Sequence, residues 1–228
     1  MPDKKPDKNP DKKQLPLWQE ASLLIITAMV MAVIVKTFLV QAFYIPSGSM
    51  EPTMLVNDRV LVQKVSYWNG DIQRGDIVVF DDPGAWLTPE QSRKPHNFVQ
   101  SGLEIFGLFP TGGHLIKRVI GVGGDKVKCC DQQGRVTVNG EPLDEPYLLE
   151  QGEAGDREFN VEVPKDHLWV MGDNRGNSAD SRSHIGDPGG GFIPDKNVVG
   201  KAWVRVWPWN RAGFVSYPET FDSLNADR

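Results

Sequence analysis

Three short stretches of this 228-residue chain hold side chains that can do covalent chemistry. The first is Ile45-Pro46-Ser47-Gly48-Ser49-Met50-Glu51-Pro52-Thr53-Met54. Pro46 and Pro52 stiffen its ends, and Gly48 permits a tight backbone beside a serine. A serine hydroxyl is a useful nucleophile only when a base is at hand. Histidine is the usual base, yet His96, His114, His167 and His184 stand in no marking context, so a Ser-His-Asp triad has no positive signal. The second stretch is Gly113-His114-Leu115-Ile116-Lys117-Arg118-Val119-Ile120-Gly121-Val122. In a strand, Leu115, Lys117 and Val119 share one face, and Ile116, Arg118 and Ile120 share the other. Burial among such neighbours disfavours the ammonium form and suits Lys117 to general-base work; a solvated strand lysine is the ordinary alternative. The third stretch, Met171-Gly172-Asp173-Asn174-Arg175-Gly176-Asn177-Ser178-Ala179-Asp180-Ser181-Arg182, is a polar loop closing an apolar strand. Its opposite charges and short side chains suit an internally cross-linked loop, a structural role for Asp173, Arg175, Asp180 and Arg182. No zinc-ligand spacing is present, and none of these stretches calls for a metal or a cofactor.

The elements that must carry these residues read as β. Arg59–Val65, Asp76–Phe80, Leu115–Val122, Lys126–Cys130, Arg135–Val138, Phe159–Val163, His167–Met171 and Val198–Val206 are short β-branched runs bounded by turn residues. Asn139-Gly140 after Val136-Thr137-Val138 signals a type I′ hairpin. The spacing favours packed or barrel-like antiparallel sheets. Residues 81–113 lack a clear period and read as a long variable insertion between two core strands. Cys129 and Cys130 are adjacent. Adjacent cysteines pair only through a small strained ring, so two neighbouring thiols in one strand is the preferred reading.

Before the serine loop, Ala21 to Val40 is a run of twenty residues with one charge, Lys36. A bilayer core takes about 20 apolar residues, so the run predicts a single transmembrane helix over 18–44. Lys36 would snorkel, and Trp18, Phe43 and Tyr44 would mark the interfaces. A cleavable signal peptide competes, because Val40-Gln41-Ala42 has suitably small residues. Upstream, Pro-Asp-Lys recurs at 2–4, 6–8 and 10–12, so residues 1–17 form a disordered basic tail. The chain's net charge of −5 averages unlike parts. Of its 25 basic residues five lie in the first twenty and one is Lys36, leaving 19 beyond. Of its 30 acidic residues four lie in the first twenty, leaving 26. The body is therefore acidic, which argues against nucleic acid as a partner, and the basic tail favours a cytoplasmic N-terminus with the body outside the cell membrane.

Together the three stretches, with Arg74-Gly75-Asp76-Ile77-Val78 and Gly124-Asp125, resemble the bacterial type I signal peptidases, a Ser/Lys family of membrane-anchored proteases. The likeness runs from the apolar segment to about Val206, and several members carry proline where this chain has Gly123. It implies a mainly β fold, with a catalytic domain over 45–217, a smaller inserted β region over 130–165 and a C-terminal tail over 218–228. It implies Ser49 as nucleophile, Lys117 as general base, Ser47 in the oxyanion hole, and Ser178 as the group that orients the lysine. Gly172, Asp173, Arg175, Asp180 and Arg182 would support the site. The implied partners are the lipid bilayer and secretory preproteins cut after small residues at −1 and −3. Two rivals are a soluble Ser/Lys self-cleaving regulator and a membrane-tethered β domain that binds peptides without cutting them. Trp203, Trp207, Trp209 and Phe214 form either an interfacial surface or part of the core.

Overall fold

The computed structural model describes residues 16–35, 39–67, 71–84, 86–88, 112–149 and 157–226. Most of the basic tail, Lys36 and most of the 81–113 insertion lie outside the described residues. The chain divides into two compact units, residues 1–37 and 38–228.

The first unit holds helix α1, Leu17–Ile34. Leu23, Leu24, Ile25, Ile26, Met29 and Val33 on it are all more than half exposed. The expected membrane helix over 18–44 is corrected at its C-terminal end. Val40–Tyr44 is strand β1, and Phe43 is buried in the body's core rather than at an interface. Among the described residues, no helix is long and apolar enough to cross a membrane. Ala42 pairs with Leu61 in the middle of β1, so a cleavage after Ala42 would cut through a sheet strand.

The second unit is mainly antiparallel β, as the alternation and turn signals predict. Its large sheet is built from β1, β2 (Arg59–Gln63), β3 (Ile77–Asp81), β4 (His114–Val122), β9 (His167–Met171), β10 (Ile193–Pro194) and β11 (Val198–Trp207). Their order is β1-β2-β11-β3-β4-β9-β10, with β12 (Gly213–Phe214) paired to β11. The edge-side strand β2 alternates, turning Val60 and Val62 inward. The central strands β3 and β4 are covered on both faces, so their apolar runs are nearly continuous. The smaller sheet runs β7-β6-β5-β8, from β5 (Lys126–Cys129), β6 (Val136–Val138), β7 (Glu141–Pro142) and β8 (Phe159–Glu162). It therefore begins at Lys126, a strand earlier than the expected 130–165. Asn139 and Gly140 both have positive φ, as the type I′ turn between β6 and β7 demands.

Two further expectations change. Cys129 and Cys130 are joined as a disulfide rather than left as thiols. The expected tail at 218–228 packs on the body through its short helix Asp222–Ala226. Phe221 is fully buried beside Leu224, and Arg74 donates to the Leu224 carbonyl.

Candidate active site

Lys117 lies in the middle of β4, paired with Val78 of β3, and is 4% exposed. Ser49 sits in a single tight turn, Gly48–Met50, whose flanking residue Ser47 is extended. Met50 and Met54 are fully buried on either side of the following bend and anchor the loop in the core with Ile45. The two candidate residues, far apart in sequence, meet directly: Lys117 Nζ donates to Ser49 Oγ at 2.8 Å and to the Ile116 carbonyl at 3.1 Å. Ser47 Oγ lies 3.4 Å from Ser49 Oγ. Among the described residues, no histidine is hydrogen-bonded to Ser49 or Lys117. His114 and His184 instead face Asp81 and Asp187, and His167 faces the Lys165 carbonyl.

Burial pushes the Lys117 amine down to about 8. Asp180 and Asp173 pull it back up, and Arg182 pushes it down. At pH 7 about one lysine in ten is then neutral, far more than for an ordinary lysine. Such an amine, in contact with a serine hydroxyl, can take its proton as that oxygen attacks a carbonyl.

The loop after β9 closes over this pair. Asn174 donates its backbone N–H to the Ser49 carbonyl at 3.2 Å and its side-chain amide to the Gly48 carbonyl at 3.1 Å. Gly172 must be glycine for that approach, because a β-carbon there would overlap the Ser49 carbonyl oxygen and the Ser178 hydroxyl. Asp173 forms a two-pronged pair with Arg118, Oδ1 to Nε at 2.8 Å and Oδ2 to Nη2 at 2.6 Å. Asp173 also accepts from Thr53 Oγ1 at 2.5 Å, tying the serine loop's far end to the same carboxylate. Asp180 pairs with Arg182 at 2.8 Å and accepts from the Gly172 N–H at 2.9 Å. Burial opposes its charge, but the Arg182 guanidinium and the Gly172 N–H hold its carboxyl below the ordinary value. Arg175 Nε donates to the Gly172 carbonyl at 3.0 Å.

All nine expected site residues therefore surround one loop contact. Ser178 is the exception in detail: it lies against Gly172 and makes no hydrogen bond to Lys117. Sequence reasoning assigned no role to Asn174, Thr53 or Arg118, nor to Glu145, which forks onto Arg175 at 2.5 and 2.9 Å. Asn174 was visible within the third motif. Glu145, inside the inserted region, carried no signal.

An antiparallel β body that sets a serine hydroxyl against a buried amine belongs to the class of candidate acyl-transfer hydrolases. The family described as signal peptidase, peptidase S26, matches residues 18–207. A probable signal peptidase I of Mycobacterium leprae is 41% identical, over 90% of this chain and 81% of its own. Signal peptidase I of Mycobacterium tuberculosis is 42% identical, over 86% of this chain and 75% of its own. A crystal structure of a signal peptidase I from Enterococcus faecalis V583 shares 25% identity at a TM-score of 0.38, covering 57% of this chain and 96% of that one. The chain belongs to the signal peptidase family, peptidase S26, and is a peptidase, a hydrolase.

Proposed function

We propose that this chain is a membrane-anchored serine endopeptidase that removes signal peptides from exported preproteins through a Ser49/Lys117 dyad. The 2.8 Å contact between Lys117 Nζ and Ser49 Oγ carries this reading. Neutral Lys117 accepts the Ser49 proton as Oγ attacks the scissile carbonyl, forming a tetrahedral oxyanion. Ser47 Oγ and the Ser49 N–H are the donors for that oxyanion, a kind of term often worth about 3 kcal/mol. The protonated lysine then gives its proton to the leaving amine, and an acyl-enzyme on Ser49 remains. Lys117 next activates the water that releases the acyl group. The orienting role of Ser178 needs its hydroxyl to turn onto Lys117 Nζ; its place against Gly172 and beside Asp180, whose charge acts on Lys117, supports that role.

The substrate would be a preprotein with small residues at −1 and −3, cut at the membrane surface. Two observations support the anchoring. The apolar side chains of α1 are exposed along its length, and Trp203, Trp207, Trp209 and Phe214 of the body are each at least 42% exposed. Aromatic side chains favour the bilayer interface. The basic tail supports a cytoplasmic N-terminus with the acidic body outside.

Purified wild type, Ser49→Ala and Lys117→Ala are compared on a preprotein. Both variants are expected to lose cleavage by at least about a thousandfold while remaining folded. Undiminished cleavage by either removes the dyad.

A further inference from the structure

The smaller sheet has so far been an appendage with no part in the chemistry. Its connection from β7 to β8 nevertheless sends Glu145 and Tyr147 into the ground beneath the active-site loop. Glu145 forks onto Arg175, and the two side chains are only 6% and 2% exposed. The Tyr147 hydroxyl donates to Glu145 at 2.5 Å. The Tyr147 ring lies 4.1 Å from the Arg118 guanidinium, the same group that holds Asp173. One three-residue segment therefore grips two of the buried arginines that carry the turn at 172–175, Arg118 and Arg175.

We propose that Glu145 is a positioning residue for acyl transfer, acting through Arg175 to hold the 172–174 turn against the Ser49 loop. The inference rests on the Ser49/Lys117 reading. Its physical route is short. A buried guanidinium must be paired, and among the described residues Glu145 supplies the only carboxylate in an ion pair with Arg175. Paired, Arg175 is fixed with Nε on the Gly172 carbonyl, and Arg182 donates to the Arg175 carbonyl at 2.9 Å. The residue just before it in the turn, Asn174, holds the carbonyls of Gly48 and Ser49. Loss of the Glu145 charge frees Arg175 to leave its site and slackens the turn. The nucleophile then drifts by a fraction of an ångström, and reactions that need a near-attack geometry lose rate steeply with such drift. Glu145 is too deeply buried to offer an atom to substrate, so substrate binding is untouched.

Glu145→Gln tests this in the full chain, with kcat and KM measured per folded molecule well below the variant's melting temperature. The expected result is a fall in kcat of about tenfold with KM within about twofold. Unchanged kcat beside a lowered melting temperature, or a change in KM alone, makes Glu145 merely structural and overturns the inference. Should Glu145→Gln fail to fold, Tyr147→Phe removes only the hydroxyl on Glu145. It is expected to lower kcat about threefold, and an unchanged kcat overturns the inference equally. A Ser49→Ala control separates the two levels. If it still cleaves, the dyad reading fails; if it is inactive while Glu145→Gln is fully active, only the positioning role fails.

Discussion

In the proposed dyad Lys117 is the base, and its environment sets a pH dependence. Burial pushes its amine from the ordinary 10.5 down to about 8. In that mechanism the active form is the neutral amine, so kcat/KM on a preprotein is expected to rise with pH and level off above about 8. A pH–rate profile checks this, and a limb that instead breaks near 6.5 would indicate a histidine base. The same depression affects stability. Between pH 8 and 10.5 the unfolded chain binds the lysine proton more strongly than the folded one, so stability rises with pH across that window. Below pH 8 both states are protonated and the fold bears the full penalty, about 3 kcal/mol. Lys117→Met is therefore expected to be inactive yet more stable than wild type at pH 7. That advantage shrinks as pH rises through 8 toward 10.5. Chemical denaturation of both proteins at pH 7 and pH 10 measures it. Alternation along β4 showed lysine between apolar neighbours, but it did not show the burial. What covers Lys117 is the Ser49 turn, 68 residues upstream, and the loop after β9. Contacts of that range leave no periodic trace in a sequence.

At the level of elements, strands were legible where a local pattern was complete. His167–Met171 lies where its β-branched run predicted, and the Asn139-Gly140 hairpin has the positive φ angles its sequence demanded. Short edge partners such as β7, β10 and β12 have two residues each, too few for any pattern, and exist because a long neighbour offers them a ladder. The strand β1 was hidden for a different reason. Its residues Val40–Tyr44 continue the apolar run of α1, and only pairing with β2 separates sheet from helix. The turn at Gly172 shows how tightly the elements then fit. A methyl group there has no room between the Ser49 carbonyl and the Ser178 hydroxyl, so the β9 loop would be forced off the serine turn. Gly172→Ala is expected to lower kcat about a hundredfold or more, because both Asn174 contacts to the serine turn are strained together. Steady-state kinetics together with circular dichroism check it, and a folded variant with wild-type kcat would show that the turn tolerates displacement.

At the scale of the whole molecule, four aromatic rings of the β body lie outside its core. Trp203 and Phe214 stack across β11 and β12 with ring centres 5.7 Å apart, and Trp207 and Trp209 meet edge to face at 6.0 Å. All four rings remain substantially open to solvent, which a core would not allow. The same strand and turn are tied to the serine loop. Arg205 donates to the Thr53 carbonyl at 2.9 Å, and Arg211 pairs with Asp58 at 2.9 Å. A lipid contact at these rings would therefore be passed rigidly to the loop that bears Ser49. The proposed lipid contact would rest on apolar insertion of these rings. The double variant Trp209→Ser, Phe214→Ser removes the two most exposed rings, at 77% and 75%. Cleavage of a preprotein inserted in lipid vesicles is expected to fall about tenfold. That corresponds to about 1.4 kcal/mol, less than complete burial of one large apolar side chain contributes. Cleavage of a short soluble peptide should stay unchanged, because the rings would act on lipid rather than on the dyad. The ratio of the two rates is the measurement. Equal losses on both substrates would make the rings a support for the fold, and no loss on either would leave membrane engagement to α1 alone.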